Sequence, residues 1–513
     1  MKKITSIKID KLFGSFNYEI NFEKNDGFTI LTAPNGFGKS TILKIIRAAA
    51  VGNFCYFAGL VFERIEMNFK GTLADEWRPR VGPGSEPLPE EDAVKNKETK
   101  FVIEKSRREI VMEDSSVEKS RDMDEDSEPS YICVYSVDDF IVTFTDEDIQ
   151  KAVNEVVNTI PSLEPMFQYV NSNGECRLWR DKTDGEVFDL AGVFRRYSGM
   201  FRKVFPWVYT AIRKLNFSVN YISTNRLYNE ESDRPVAGLN PRFRNRPADA
   251  PQDARQNTHL LKIFSISSDM RSASNRCMRE QLQIARDQES DFVARVVDSL
   301  NKKDRPSADE IRRRINNKIN AIRRLESGCN EFGITSGNKM NKVLETNDDS
   351  ALIVFEMYLD DVKDKLTVFT PLVKKLKIFS DALRDLLDLK KVKIDLSSWD
   401  NVLEVRSEES NAVIPLDMLS SGEQHLIVLL GRLLFSVDDP DALVMMDEPE
   451  ISFHPRWQED FSEILFRIQN ELREGRTGKR QFIIATHSPA FIGDHWDKTV
   501  ELAKMLKETD GIH

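Results

Sequence analysis

Nine residues near the start of the chain, Ala33-Pro-Asn-Gly-Phe-Gly-Lys-Ser-Thr41, restrict its possible folds more than any other segment. The apolar run Phe28-Thr-Ile-Leu-Thr32 precedes them and reads as a short buried strand, while STILKIIRAAA, from Ser40, has helical spacing. Strand, glycine-containing loop and helix in that order follow the pattern G-x-x-x-x-G-K-[ST], with Ala33 in place of the first glycine. The physical content of the pattern is an anion site. Consecutive backbone N–H groups at a helix N-terminus form a concave, positively polarised cradle. Gly36 and Gly38 admit backbone angles that a Cβ opposes, and Ala33 fits provided its φ is negative. On this spacing Asn35, Gly36, Gly38, Lys39, Ser40 and Thr41 line a phosphate site. Lys39 would neutralise β/γ-phosphate charge, and Ser40 would offer its hydroxyl to Mg²⁺.

Such a site needs a sizeable sheet behind it, and the composition supplies one. The 513 residues, 40% of them hydrophobic, suit two to four structural units. A net charge of −11, from 73 Lys+Arg against 84 Asp+Glu, makes the surface as a whole a poor non-specific DNA binder, although local patches still decide such binding. No run approaches the roughly 18 apolar residues of a membrane span, and MKKITSIKID lacks the apolar core of a secretory signal. Five scattered cysteines without a CxxC pair fit a reducing compartment and argue against structural zinc. A cytoplasmic protein with no membrane contact is expected.

Along the chain, residues 84–130 form an acidic, solvated insertion in which FVIEK and REIVME still read as strands. YICVYSVDDFIVTF, from Tyr131, and Phe217–Ile222 are further strands, and residues 191–215 look helical. Between Ser232 and Asn257, prolines alternate with arginines in a basic loop unsuited to helix or central strand. Residues 258–328 are helical with a break near 302–307, and a second amphipathic pattern runs from about Leu352 to Leu389. Two helical stretches around the Gly-containing turn 332–337 suggest a short antiparallel arm. KVKIDL and LEVRS then pair as strands, a helix starts near Gln424, and helix 456–473 lies between strands 442–446 and 481–485. Strands alternate with helices at both chain ends while the middle is helical. The fold class is therefore α/β with a helical insertion, divided as 1–225, 226–389 and 390–513.

Three further segments carry chemistry. Ala442-Leu-Val-Met-Met446 runs into Asp447-Glu448, presenting two carboxylates at the edge where open α/β sheets bind ligands. Asp447 suits Mg²⁺, and Glu448 suits orienting or deprotonating an attacking water. Gln481-Phe-Ile-Ile-Ala-Thr-His487 repeats the arrangement with a histidine able to contact a γ-phosphate. Met418-Leu-Ser-Ser-Gly-Glu-Gln-His425 places Ser420, Ser421, Gly422 and Glu423 before the apolar helix LIVLLGRLLF. That is a second helix-N-terminal anion site, whose natural partner is nucleotide bound to another copy.

The four segments in this order resemble the ABC-type ATPase head: Walker A, an LSGGQ-like signature (LSSGE here), Walker B and switch histidine. Glu448-Pro-Glu-Ile-Ser-Phe-His-Pro455 is similar to the E-P-E-x-x-L-H-P run of the SMC-like and OLD-like branch. The separation of 378 positions from Thr41 to Leu419 leaves room for that branch's helical arm. The resemblance implies ATP and Mg²⁺ as ligands and a head-to-tail homodimer that sandwiches two ATP molecules. Ser421 and Glu423, where transporter signatures have Gly and Gln, imply slow turnover. Tyr221-Ile-Ser-Thr-Asn-Arg-Leu227 resembles the T-x-R-L stretch before the arm in anti-phage ATPases.

Only 26 residues follow His487, and the six histidines lack HNH or zinc-ligand spacing, so no nuclease is expected in the chain itself. The layout is similar to PtuA, the ATPase family of Septu and Septu-like retron anti-phage systems. That likeness implies a small HNH nuclease of the PtuB type as partner, and with a retron, a reverse transcriptase with its RNA–DNA hybrid. Two other readings stay open: an SMC-like repair ATPase gripping DNA through its arginines, and a non-hydrolysing scaffold in which ATP is structural.

Overall fold

A computed structural model describes residues 2–52, 56–57, 59–72, 96–107, 131–145, 167–170, 178–181, 187–188, 210–211, 214–215, 217–222, 260–301, 306–334, 348–398, 401–435, 442–451, 453–471 and 480–509. The basic loop 232–257, the stretch REIVME, Asn225-Arg226 and most of 191–215 lie outside these residues.

The most continuous apolar runs form one parallel sheet. β3 (Phe28–Thr32) lies between β16 (Phe482–Thr486) and β17 (Thr499–Glu501); β15 (Leu443–Asp447) pairs with β16, and β11 (Val219–Ile222) pairs with β15 at the edge. Every residue of β15 and β16 is buried, because a parallel sheet covered on both faces has no water side. Alternate residues serve two cores. Leu31, Met445, Ile483 and Ala485 enter one, and Ile30, Met446, Phe482 and Ile484 enter the other.

The first core joins this sheet, through α1 (Lys39–Val51), to an antiparallel sheet. Its strand order is β2 (Phe16–Asn21), β1 (Lys3–Leu12), β4 (Arg64–Thr72), β5 (Asn96–Arg107), β6 (Tyr131–Val137) and β7 (Phe140–Thr145). Ile42, Ile45 and Ile46 of α1 meet Ile7, Ile9, Met67, Phe101 and Ile103 there. Each such side chain removed from water contributes about 1.5–3 kcal/mol. β5 starts inside the acidic insertion yet sits between β4 and β6, not outside the sheet. Its alternation explains this: Phe101 and Ile103 are fully buried, while Val102 is half-buried and the flanking Lys100 and Glu104 are exposed on the other face. A separate antiparallel sheet comprises β8 (Phe167–Val170), β9 (Leu178–Asp181) and β10 (Val187–Phe188).

The second core holds the roots of the helical insertion. α2 (Leu260–Asn301) contributes Ile263, Ile266 and Met270 to it, and α3 (Ala308–Glu331) contributes Cys329. Ser307 caps α3 by accepting from the Glu310 N–H, which fixes the expected break after α2. The pattern expected to run unbroken from Leu352 to Leu389 is two helices, α4 (Asp349–Thr367) and α5 (Thr370–Leu386). Pro371 stands in the first turn of α5, where a missing N–H costs nothing, and buried Phe369 anchors the junction. α4 packs on α3 through Leu352, Leu359, Val362 and Leu366 against Ile311, Ile315, Ile319 and Ile322. α5 instead faces the second core through Leu372, Leu376, Phe379 and Leu383. The arm is thus the outer part of α2 with α3 and α4.

The same core takes in the sheet of β12 (Lys390–Ile394), β13 (Leu403–Ser407) and β14 (Val413–Ile414), with α6 (Ser421–Phe435) and α7 (Pro455–Glu471). α6 and α2 touch almost backbone to side chain. A Cβ at Gly431 would lie 2.5 Å from Cγ2 of Ile266 and 2.8 Å from its Cδ1. After β16 come the single-turn α8 (Pro489–Ile492) and, beyond β17, α9 (Leu502–Thr509).

Candidate functional site

The carboxyl ends of β3, β15 and β16 lie side by side, so the loops that leave them converge on one edge. The loop after β3 carries Gly36 at φ +90° and Gly38 at φ +81°. No atom lies within 4 Å of where a Cβ on Gly36 would be, whereas at Gly38 a Cβ would press on Leu12 and Phe13 at 3.1 and 3.3 Å. Backbone N–H groups there can approach a ligand with no side chain between. Ala33 has no left-handed backbone, so the missing first glycine costs nothing. Its carbonyl, with that of Pro34, accepts the buried Lys39 ammonium at 2.7 and 3.3 Å. Asn35 is exposed at the loop tip, and Ser40 and Thr41 follow Lys39 in the first turn of α1. An aromatic bracket from the β1–β2 hairpin steadies the loop: Phe16 stacks on Phe37 at 5.8 Å, and the Tyr18 hydroxyl donates to the Phe37 carbonyl. Burial pushes the Tyr18 phenol up to about 12.

Ser40 and Asp447 meet across 407 positions of sequence, the hydroxyl donating to Oδ1 at 2.8 Å. The Tyr221 hydroxyl donates to Oδ2 at 3.3 Å from β11, and Arg47 of α1 lies over the Tyr221 ring at 5.0 Å. Burial raises the Asp447 carboxyl above its usual range. The neighbouring Glu448 adds to this, against the hydrogen bonds from Ser40 and Tyr221 and the charge of Lys44. A hydroxyl and a carboxylate in contact are the hard oxygen donors that Mg²⁺ takes, so these residues fit the ion. Tyr221 escaped the sequence reading because a tyrosine in a strand looks like any core aromatic.

Glu448 follows the strand at φ +46°, a backbone region costly for a residue with a Cβ. Its N–H still donates to the Ala485 carbonyl at 2.8 Å, which extends the β15–β16 ladder by one step. His487, half exposed, places Nδ1 3.5 Å from Oε1 of Glu448 and 3.8 Å from Oε1 of Glu450. Glu450 is buried and accepts from the Thr486 hydroxyl at 2.5 Å.

The signature segment is built on the second core. Ser420 and Glu423 form a reciprocal cap: the Ser420 N–H donates to Oε2 of Glu423 at 2.8 Å, and the Glu423 N–H donates to the Ser420 hydroxyl at 3.4 Å. Lys390 of β12 pairs with the other Glu423 oxygen. Burial works to raise this carboxyl, but Lys390 and the Ser420 contacts hold it below the usual range. Both Glu423 oxygens are therefore engaged, by Lys390 and by Ser420, while Ser420 and Ser421 are exposed at the helix start and Gly422 is buried beneath them.

A protein-family model for the AAA ATPase domain matches residues 1–492. The chain belongs to the AAA ATPase domain family. Its mixed α/β head, assembled from both chain ends around a helical insertion, is an ATPase fold in which membership implies nucleotide binding, typically with Mg²⁺. No curated protein matches this AAA ATPase chain. Similar solved structures include the Pyrococcus furiosus Smc head domain with an extended coiled coil, bound to the C-terminal domain of ScpA. It is 15% identical, with 100% of this chain and 99% of that one covered and a TM-score of 0.33. The Smc head domain with coiled coil and joint from Pyrococcus yayanosii is 13% identical, with 99% and 100% covered and a TM-score of 0.34. The Thermotoga maritima SMC head domain is 10% identical, with 96% and 91% covered and a TM-score of 0.28. Among the described residues no helix is long and apolar enough to cross a membrane.

Proposed function

We propose that the chain hydrolyses ATP slowly as an SMC-like ABC-type head, closes as a head-to-tail dimer around nucleotide, and so controls a separately encoded HNH nuclease in an anti-phage complex. The observation that carries the enzymatic part is the Ser40–Asp447 hydrogen bond beside the Glu448–His487 approach of 3.5 Å. Three segments of distant sequence there form one anion-binding, acid–base edge.

The P-loop N–H groups and Lys39 would hold the β- and γ-phosphates, and Ser40 with Asp447 would hold Mg²⁺. When bound, the ion supplies charge neutralisation for the phosphoryl group in transit. Glu448, which follows its strand, orients the attacking water and takes its proton. His487 contacts the γ-phosphate from the neighbouring strand. Ser420, Ser421 and the Gly422 N–H of a second copy complete the cradle, so contacts to the γ-phosphate exist only before hydrolysis, and ATP favours the closed dimer. The anti-phage assignment rests on the sequence likeness to PtuA, with the arm carrying the change to the nuclease.

Lys39→Ala should abolish ATP binding, and Glu448→Gln should bind ATP yet accumulate as a dimer in native mass spectrometry. A Glu448→Gln protein with wild-type turnover removes the catalytic assignment. Purification from the native operon should bring down a small Cys/His-containing protein in stoichiometric amount. A bare dimer that captures duplex DNA only with ATP refutes the nuclease-partner reading and supports a repair ATPase.

A further inference from the structure

Glu450 has no task in the mechanism above, yet its surroundings are unusual for a carboxylate. It is only 3% exposed, and among the described residues its buried Oε2 has no hydrogen-bond partner. Leaving such an atom unpaired is costly, so the fold tolerates a standing penalty at this position. Burial also raises the Glu450 carboxyl above its usual range, against the hydrogen bond from Thr486 and the nearby His487.

What surrounds it gives the position a use. Thr486, the last residue of β16 and fully buried, donates to Oε1 of Glu450 and so pins that oxygen beside the residue that follows, His487. The same oxygen lies 3.8 Å from Nδ1 of His487, roughly half an ångström beyond ordinary hydrogen-bond reach. Glu448 approaches the same nitrogen at 3.5 Å but is one-fifth exposed and sits on a strained turn. Two carboxyl groups thus face one ring nitrogen, one buried and pinned, the other at the edge where water arrives.

We propose that Glu450 is the positioning residue of His487: its pinned Oε1 accepts from Nδ1–H, which fixes the tautomer and leaves Nε2 free to face the phosphate. An imidazole whose one nitrogen is committed to a carboxyl presents the other in a single orientation and protonation pattern. Glu448 is then released from holding the ring and can serve the attacking water. This inference rests on the proposed hydrolysis at the same site.

The test uses Glu450→Met, which fills the volume without an acceptor, and Glu450→Gln, which restores an acceptor oxygen. Steady-state ATPase is measured in the wild-type and His487→Ala backgrounds. Glu450→Met should lower kcat at least tenfold with KM for ATP within twofold, and Glu450→Gln should recover most of that loss. In the His487→Ala background Glu450→Met should change kcat less than twofold. Equal losses in both backgrounds, or a loss carried by KM, overturn the proposal, because a purely structural carboxyl would act without the histidine. A second readout is independent of turnover: ¹⁵N shifts of His487 should report Nδ1–H in the wild type and mixed tautomers in Glu450→Met. Identical shifts overturn the role of Glu450, whereas wild-type protein that binds ATP without hydrolysing it overturns the proposed function alone.

Discussion

Gly431 offers the sharpest test of how the arm is joined to the head. Replacing it with alanine puts a methyl group 2.5, 2.8 and 2.9 Å from three carbons of Ile266, where 3.5–4.0 Å is comfortable. Ile266 is fully buried in α2 and β-branched, so a helix leaves it essentially one χ1 well and it cannot swing aside. Forcing α2 and α6 apart costs about 1–3 kcal/mol, as overpacked cores do. Alanine recovers about 0.5–1 kcal/mol of helix preference over glycine. The net expectation is a loss of about 1–2 kcal/mol, read as a lower thermal midpoint by circular dichroism. The companion Ile266→Ala alone should cost more, about 2–5 kcal/mol, through the cavity it leaves. In that background Gly431→Ala should turn neutral or stabilising, because the new methyl enters the vacated space. If Gly431→Ala raises the midpoint in the wild-type background, the tight α2–α6 seam does not exist.

Three further outcomes are expected. Tyr221→Phe removes a hydrogen bond to a charged carboxyl, about 1.5–3 kcal/mol in a favourable case, so the Mg²⁺ needed for half-maximal hydrolysis should rise about tenfold or more while Mg²⁺-free nucleotide binding holds; unchanged Mg²⁺ dependence would dismiss its role. Glu423→Ala breaks the reciprocal cap of α6 and should destabilise by about 0.5–2 kcal/mol in thermal melts, Glu423→Gln by less. Equal losses for both would show that only the pairing with Lys390 matters. The buried Glu450 titrates above its usual range, so its contribution favours the fold below the unfolded carboxyl's range and is lost as pH rises through the raised value. Glu450→Gln, neutral throughout, should therefore melt above wild type at alkaline pH, with the gap closing toward acid; a gap that does not change with pH contradicts this.

The parts of the site that were legible in sequence are those whose chemistry is local. The P-loop announces itself because glycines, lysine and serine must occur within nine residues, and Asp447-Glu448 because a wholly apolar strand delivers them. The α/β class follows from the same apolar runs. What escaped depends on partners distant in sequence. Glu423 lies in a segment read from sequence as an anion site, yet its oxygens go to Ser420 and to Lys390, 33 positions earlier. Tyr221 reaches Asp447 over 226 positions, and Glu450 gains meaning only beside Thr486 and His487. The break at Phe369 was hidden because apolar spacing continues through it on both helices. Pro371 was the one local sign.

The central place of β3 has a consequence for how the protein is made. This strand is hydrogen-bonded on both sides, to β16 and β17, and Phe28 pairs with Phe482, 454 positions away. While a ribosome is still adding the intervening residues, the P-loop strand has no neighbour in its own sheet, and Phe28 and Ile30 lack the later elements that cover them in the second core. Closing so long a loop is entropically slow, and uncovered strand edges invite aggregation. Competence to hold a nucleotide is therefore among the last properties the nascent chain acquires, and a chain cut short before residue 482 lacks both strands that flank β3.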